Sequence, residues 1–393
     1  MPVRVLDDLV LPGAKVLVRV DLNVPMRDGQ VSNKTRINRT APTLAELADK
    51  GAKVIVLAHF GQPKGQVVSE MSLAPLVAPL SEILDRVVAF STLDDAMDLV
   101  GNMANGDVLL LENVRFDPGE EANAIEFAKR LAALGDIYVN DAFSCAHRSH
   151  ASTEALAHLL PSAAGRSMRA EIEALELALA NPKRPVAALI GGAKMSSKLA
   201  VLGNLLDKVD QLIIGGGMAN TFLFAKGLGV GASLCQEELA NTAQDIMSNA
   251  QAAGCEIVLP VDVVLAQAFE AGADRATVPV EKVPDSMMIL DVGPASVRDL
   301  TVRLAGCRTL LWNGPMGAFE ISPFDEGTVK VAQAAAAQTK AGNLTSVAGG
   351  GDTVAALYHA GAADDFTYVS TAGGAFLEWL EGKVLPGIKA LEN

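Results

Sequence analysis

Val186-Ala-Ala-Leu-Ile190-Gly191-Gly192-Ala193-Lys194-Met195-Ser196-Ser197-Lys198 carries the plainest fold signal in this chain. Its first five residues are all apolar, too few for a helix, and closed by paired glycines. Such a run suits a strand buried on both faces, which is the habit of parallel sheets covered by helices. A helix-period run follows the glycines. The same order recurs where Gln211–Ile214 precedes Gly215-Gly216-Gly217, where Leu344–Ala348 precedes Gly349-Gly350-Gly351-Asp352-Thr353, and where Thr367–Ser370 precedes Thr371-Ala372-Gly373-Gly374.

Further apolar runs predict strands at Lys15–Val20, Lys53–Ala58, Asp107–Leu111, Asp136–Asn140, Glu256–Leu259, Met288–Leu290 and Thr309–Trp312. Helix-period runs such as Thr40–Lys50, Leu73–Leu84 and Glu120–Leu134 lie between them. This alternation predicts an α/β protein of doubly wound, Rossmann-like parallel sheets. The 393 residues exceed what one core usually supports, so two domains are expected. The amphipathic stretch Met168–Ala180, closed by Asn-Pro-Lys-Arg-Pro, reads as a connecting helix over 167–184, between domains at 1–166 and 185–381. The alternative is a crossover helix of one larger sheet.

Apolar residues make up 50% of the chain and charged ones 20%, which excludes a disordered protein. A net charge of −14 argues against nucleic-acid or anionic-membrane binding. No run is long and apolar enough to span a bilayer. The four cysteines lack metal-ligand or disulfide spacing. With no secretory pattern at the start, a cytoplasmic protein is expected.

Ligands of open α/β sheets bind at the carboxyl ends of the strands. In the first half those ends carry polar and basic groups: Arg19-Val-Asp21-Leu-Asn23, His59-Phe-Gly-Gln62-Pro-Lys64, Glu112-Asn-Val-Arg115 and Asp141-Ala-Phe-Ser-Cys-Ala-His147-Arg148-Ser-His150, with Arg36 in the loop segment between the first strand and its helix. Each alone could be a surface charge or a loop hydrogen bond. Repeated at four strand ends, they predict a site for a small, multiply charged anion. In the second half the four glycine junctions, Gly191 and Gly192, Gly215 to Gly217, Gly349 to Gly351 with Thr353, and Gly373 with Gly374, offer free N–H groups at helix starts and predict a polyphosphate ligand such as a nucleotide. No G-x-x-x-x-G-K-[ST] occurs, and no dinucleotide fingerprint. Lys194 and Lys198, four apart at a helix start, are expected on one face toward an anion. Asp352 is a candidate magnesium ligand or a helix N-cap.

The segments RVDLNVP, HFGQPKG, ENVRF, NDAFSCAHRSH, GGAKMSSK, IIGGGMANTF, LDVGP, WNGPMGAFE, GGGDT and STAGGAFLEWLEGKVLPG, in this order, resemble the phosphoglycerate kinase family over essentially the whole chain. The resemblance implies two domains with a cleft between them and a C-terminal segment, 382–393, that packs back on the first. It implies a glycolytic kinase that moves a phosphoryl group between 1,3-bisphosphoglycerate and ADP, with Mg²⁺ as cofactor, by hinge closure and as a monomer. The glycerate ligand would meet Asp21, Asn23, Arg36, His59, Arg115 and Arg148. Lys198, Asn313 and Glu320 would serve the nucleotide, Glu320 at the ribose, and Asp352 the metal. Arg36, Lys194, Gly350 and Gly373 would attend the transferring group. Gln62 stands where the family commonly has arginine, Ala372 where it has glycine, and Ser144-Cys145 where it has Gly-Thr. A hinge-closing binding protein or another acyl-phosphate kinase are the competing readings.

Overall fold

A computed structural model describes residues 3–27 and 29–392. The first two residues and Asn393, at the ends of the expected stretches 1–166 and 382–393, lie outside the described residues, as does Asp28. The chain divides into two compact units, one reaching Ile172 and resuming at Val384, the other Glu173–Lys383.

The first unit contains β1 (Lys15–Arg19), a small antiparallel pair β2 (Met26–Arg27) and β3 (Gln30–Val31), then β4 (Lys53–Leu57), β5 (Val88–Ser91), β6 (Val108–Leu111), β7 (Ile137–Asn140) and β8 (Ser162–Ala164). Its sheet runs β5-β6-β4-β1-β7-β8, and every pairing is parallel. Val16, Leu17, Val18, Val54, Ile55 and Val56 are fully buried, because helices cover both faces. Leu44 and Leu47 of the helix Thr35–Asp49 pack on this core, with Leu80 of Val77–Leu84.

The second unit contains β9 (Val186–Ile190), β10 (Gln211–Ile214), β11 (Glu256–Val258), β12 (Asp262–Ala266), β13 (Arg275–Pro279), β14 (Met288–Val292), β15 (Thr309–Asn313), β16 (Thr345–Gly349) and β17 (Tyr368–Ser370). Its main sheet, β11-β10-β9-β15-β16-β17, is again parallel throughout. Trp312 is buried beside Phe366, their rings 6.1 Å apart and tilted by 56°.

Several local expectations need correction. The predicted strand at Met288–Leu290 does not join the parallel sheet. It forms β14 of a separate antiparallel sheet, β13-β12-β14. A short loop joins β12 to β13, which favours an antiparallel pair because a parallel one would need a crossover, and β14 pairs antiparallel on the other edge of β12. The predicted helix Glu120–Leu134 is two pieces, Pro118–Glu121 and Ile125–Ala132, because Asn123 turns left-handed at φ 51°. The helix expected over 167–184 is the α-helix Arg166–Leu175 continued by a π-helical turn, Glu176–Ala180. It stops there because the residue before a proline, here Asn181, is pushed toward extended backbone. The helix predicted from Thr40 starts at Thr35, whose N–H is held by Asn33 Oδ1 at 2.8 Å.

Asp85 ends the helix Val77–Leu84 in a left-handed conformation at φ 49°, exposed to solvent. Glycine adopts this conformation without a Cβ penalty, and a carboxylate opposes the dipole at a helix C-terminus. Asp85→Gly is expected to stabilise the protein by about 0.5–1 kcal/mol after the larger unfolded-state entropy of glycine is counted. Thermal unfolding checks this; an unchanged or lower midpoint contradicts it.

Candidate active site

Two polar clusters form, one in each unit. In the first, β1 ends on Arg19, whose side chain is fully buried. Its Nε donates to Ser152 Oγ (2.8 Å), its Nη1 to the Val20 carbonyl (2.5 Å), and its Nη2 lies 2.9 Å from His59 Nδ1. Ser152 in turn donates from Oγ (2.6 Å) and N–H (2.9 Å) to Glu120, also fully buried. Burial pushes the Glu120 carboxyl up, and Arg19 opposes that shift. A guanidinium has no acceptor, so His59 Nδ1 accepts and its Nε2 carries the proton. Burial, then the charges of Arg19, Arg115 and Arg148, hold His59 well below the usual imidazole range. The same causes bring His150 down to about 4. Both imidazoles are therefore neutral donors or acceptors at ordinary pH.

Arg115 sits in the 3₁₀ turn Val114–Phe116 that follows β6 and is only 2% exposed. Its Nη1 donates to the Gly61 carbonyl at 2.8 Å, Nε faces Glu121 Oε1 at 3.5 Å without a hydrogen bond, and Nη2 is buried without a hydrogen-bond partner. A buried donor left unmade costs about 1–3 kcal/mol, more when charged, which a bound anion offsets. Gly61 N–H also donates to Asn23 Oδ1 (3.1 Å), so Gly61 is fixed from both sides. Asp21 accepts from Arg36 Nη1 at both carboxylate oxygens (2.8 and 2.7 Å), from Ser144 Oγ and from Asn23 N–H. Arg36 stands in the first turn of its helix rather than in a loop. Arg148 is half-buried, with Nε 3.2 Å from His147 Nε2. Gln62 is exposed.

In the second unit a cavity of about 430 Å³ opens at the glycine junctions of β9 and β10, lined by Gly192, Gly216 and Gly217. Glu320 and Asp352 reach it too, and its apolar wall comes from Leu234, Val263 and Met288 to Leu290. Two glycines are obligatory by geometry. Gly216, at φ 67°, passes so near Gly192 that a Cβ would stand 2.7 Å from its carbonyl oxygen. Gly350, at φ 101°, would bring one within 2.6 Å of Asn313 Nδ2.

Lys198 is partly buried, its ammonium hydrogen-bonded to Asn313 Oδ1, and burial lowers its pKa against the pull of Asp352 and Glu381. Asn313 Nδ2 donates to the Gly349 carbonyl at 2.7 Å. Both ends of this amide are thus occupied, and Asn313 orients Lys198. Thr353 Oγ1 accepts from Gly314 N–H at 2.6 Å, fixing the loop after β15. Lys194 and Lys198 do not share a helix face. Lys194 is extended and exposed, and a 3₁₀ turn, Met195–Ser197, intervenes before the helix Leu199–Leu205 begins. Asp352 does not cap its helix; the N-cap is Gly350, and the Asp352 carboxylate is exposed in the first turn. Gly351 begins that helix, and Gly373 begins another, Gly373–Leu380. Gly215, Lys194, Lys198, Asn313, Gly349 to Gly351, Thr353 and Gly373 are not among the residues lining the cavity.

Sequence reasoning gave no role to Glu120, Ser152 or the antiparallel wall around Val263, and took Arg19 and Gly192 only as members of a strand-end cluster and a glycine junction. Arg19 had a signal, a charge at the last position of an apolar run. The wall had none, because its sheet was not foreseen.

The buried arginines and the His59 tautomer lead to a spectroscopic expectation. Neither His59 nor His150 should titrate between about pH 5.5 and 8, where a free imidazole has its midpoint near 6.5. Two-dimensional ¹⁵N–¹H spectra should show His59 as the neutral Nε2–H form across this range. A His59 midpoint near the free value would contradict the arrangement.

The phosphoglycerate kinase family model matches residues 6–383. The phosphoglycerate kinase of Rhizobium meliloti is 60% identical over 397 residues, covering 100% of both chains, and that of Azorhizobium caulinodans is 61% identical over 393 residues, covering 99% of each. Among solved structures, the phosphoglycerate kinase of Coxiella burnetii superposes with a TM-score of 0.94 at 43% identity, over 100% of this chain and 99% of that one. The Pyrococcus horikoshii enzyme gives 0.81 at 31% identity, over 99% and 98%. Parallel sheets with a cationic cluster in one unit and glycine junctions around a cavity in the other are the setting of these matches, and the chain belongs to the phosphoglycerate kinase family.

Proposed function

We propose that this chain catalyses the reversible transfer of a phosphoryl group between 1,3-bisphosphoglycerate and ADP, giving 3-phosphoglycerate and ATP. The observation that carries the reading is Arg115, buried close to Arg19, Arg148 and His59, with Nη2 lacking a hydrogen-bond partner and Nε met only by Glu121 at 3.5 Å. That constellation suits a small polyanion and little else. Arg115, Arg148 and Arg36 hold the charged ends of the glycerate, neutral His59 donates from Nε2, and Asp21 and Asn23 accept from its hydroxyl group. The cavity in the second unit takes the nucleotide. Gly215, Gly216 and Gly349 to Gly351 let backbone approach its phosphates, Lys198 meets them as oriented by Asn313, and Glu320 meets the ribose. Thr353 keeps the adjoining loop in place.

The donor set fits magnesium. Among the described residues no group of three His, Cys, Asp or Glu could hold a metal ion by itself. Asp352 offers one exposed carboxylate at the cavity, and Mg²⁺ is commonly bound through one or two carboxylates plus substrate phosphates. Held there, the ion supplies neutralisation of phosphate charge.

The chain's own groups do the rest by position and charge. The acceptor carboxylate of 3-phosphoglycerate is already ionised at neutral pH, so no general base is needed. Arg36, Lys194 and the N–H groups at Gly350 and Gly373 stabilise the charge on the group in flight. Each reactant belongs to its own unit, so turnover requires a closing motion that aligns them and excludes water. Each cluster is complete within one chain, in keeping with a monomer. The four free cysteines suit a reducing, cytoplasmic setting. Among the described residues no helix is long and apolar enough to cross a membrane.

A coupled assay tests the activity: ADP should form from ATP in the presence of 3-phosphoglycerate, and not with acetate or aspartate in its place. ADP formation with acetate or aspartate, or none with 3-phosphoglycerate, would sink the reading.

Residue roles separate kinetically. Arg36→Ala and Lys194→Ala should mainly lower kcat, and an arginine serving a transferring phosphoryl group is worth about 10³–10⁵ in rate. Arg115→Ala should mainly raise KM for 3-phosphoglycerate, since it grips the substrate equally before and during transfer. An Arg36→Ala enzyme within about tenfold of the wild-type kcat would remove Arg36 from the catalytic set.

A further inference from the structure

A second cavity, of about 520 Å³, lies in the first unit where β5 and β6 end side by side. Its floor is apolar and aromatic, built from Val114, Phe116 and Phe127, and its mouth carries Asp94, Asp117 and Arg130. No step of the proposed reaction uses it. The turn Val114–Phe116 joins it to the anion cluster. Val114 and Phe116 face the cavity, whereas Arg115 between them donates to Gly61, pairs through Nε with Glu121 at 3.5 Å and leaves Nη2 without a hydrogen-bond partner. The cavity is therefore the back of the turn that presents Arg115.

The chemistry at the mouth is already marked by the protein's own side chain. The planar guanidinium of Arg130 lies 5.8 Å from the centre of the Phe127 ring and bridges Asp94 (3.0 Å) and Asp117 (2.7 Å). A flat cation over an aromatic face, pinned by carboxylates, is a favourable arrangement at this site. Arg130 is half exposed and Asp94 is 86% exposed, so a competing cation can reach the same carboxylates. Asp95 and Glu112 also line the cavity, giving four carboxylates against one guanidinium. An anionic ligand is disfavoured by that excess.

We infer that this cavity binds a small aromatic cation, an aryl amidine or aryl amine, whose ring lies on the Phe116 and Phe127 floor while its cationic head takes the place of Arg130 at Asp94 and Asp117. Occupancy presses on Val114 and Phe116 and so changes the presentation of Arg115. The ligand then modulates the affinity for 3-phosphoglycerate without touching the nucleotide cavity. This last step rests on the function proposed above; binding itself does not.

Benzamidine is the probe. Calorimetry on the full chain should show saturable binding to the wild type. Arg130→Ala frees both carboxylates and should tighten binding by at least about threefold, the scale of one exposed ion pair. The double variant Asp94→Asn, Asp117→Asn should weaken it by a similar factor; asparagine at 117 keeps an oxygen for the Gly119 N–H that Asp117 now receives. Saturating benzamidine should shift KM for 3-phosphoglycerate by about twofold or more and leave KM for ATP unchanged, as a coupling between separate sites requires. No saturable binding to either the wild type or Arg130→Ala overturns the site. Equal affinity in all three proteins overturns the cationic chemistry, and an unmoved KM for 3-phosphoglycerate overturns the link to Arg115. Absence of any turnover in the untreated enzyme would instead sink the phosphoryl-transfer reading, and the calorimetry would still decide whether the cavity is a site.

Discussion

A fully buried guanidinium at the end of a central strand is a severe constraint. Arg19 cannot lose its charge, and an unpaired buried charge is too costly to persist. Every neighbour able to receive it is drawn in: the Val20 carbonyl, Ser152 backed by Glu120, and His59. Glu120 and Arg19 are joined through the Ser152 hydroxyl, so the two buried charges share one network. That network dictates which nitrogen of His59 carries the proton and why its pKa is low. A protein of net charge −14 thus keeps a concentrated positive site by burying the cations on a rigid frame.

The second unit reaches the same end by another route. Glycine brings the backbone close at its strand–helix junctions, since at Gly216 and Gly350 a Cβ would collide with Gly192 or Asn313. The partly buried ammonium of Lys198 is aimed by Asn313, itself anchored on the Gly349 carbonyl. Lys194 is left extended and exposed. Lys198 is thus held in place by its amide partner, while Lys194 stands out in solvent. This division of labour matches a reaction that needs placement and cations and little proton chemistry.

The turn after β6 serves two surfaces. Alternation along Val114-Arg115-Phe116 places the charged residue in the anion cluster and its two apolar neighbours in a separate cavity. A change in the packing of Val114 or Phe116 is therefore a change in the position of Arg115. Asn113, just before, donates to the Phe60 and Met71 carbonyls and ties this turn to the loop that contains Gly61. Substrate grip and back-side packing share one short piece of chain.

By itself the sequence determined the parallel sheets and the chemistry of the strand ends. Val186–Ile190 is apolar throughout and Lys53–Leu57 at every position after its lysine, and only a strand covered on both faces satisfies that. Periodicity and glycine placement are local properties, readable without knowing the fold. The tertiary structure alone decided that Met288–Val292 pairs antiparallel, that Asn123 breaks a helical run, and that a 3₁₀ turn separates Lys194 from Lys198. It alone buried Arg19 against Ser152 and Glu120, residues 133 and 101 positions further along, and left Arg115 Nη2 without a hydrogen-bond partner. Strand direction, desolvation and hydrogen-bond satisfaction depend on which distant segments meet, and no window of neighbouring residues contains that information.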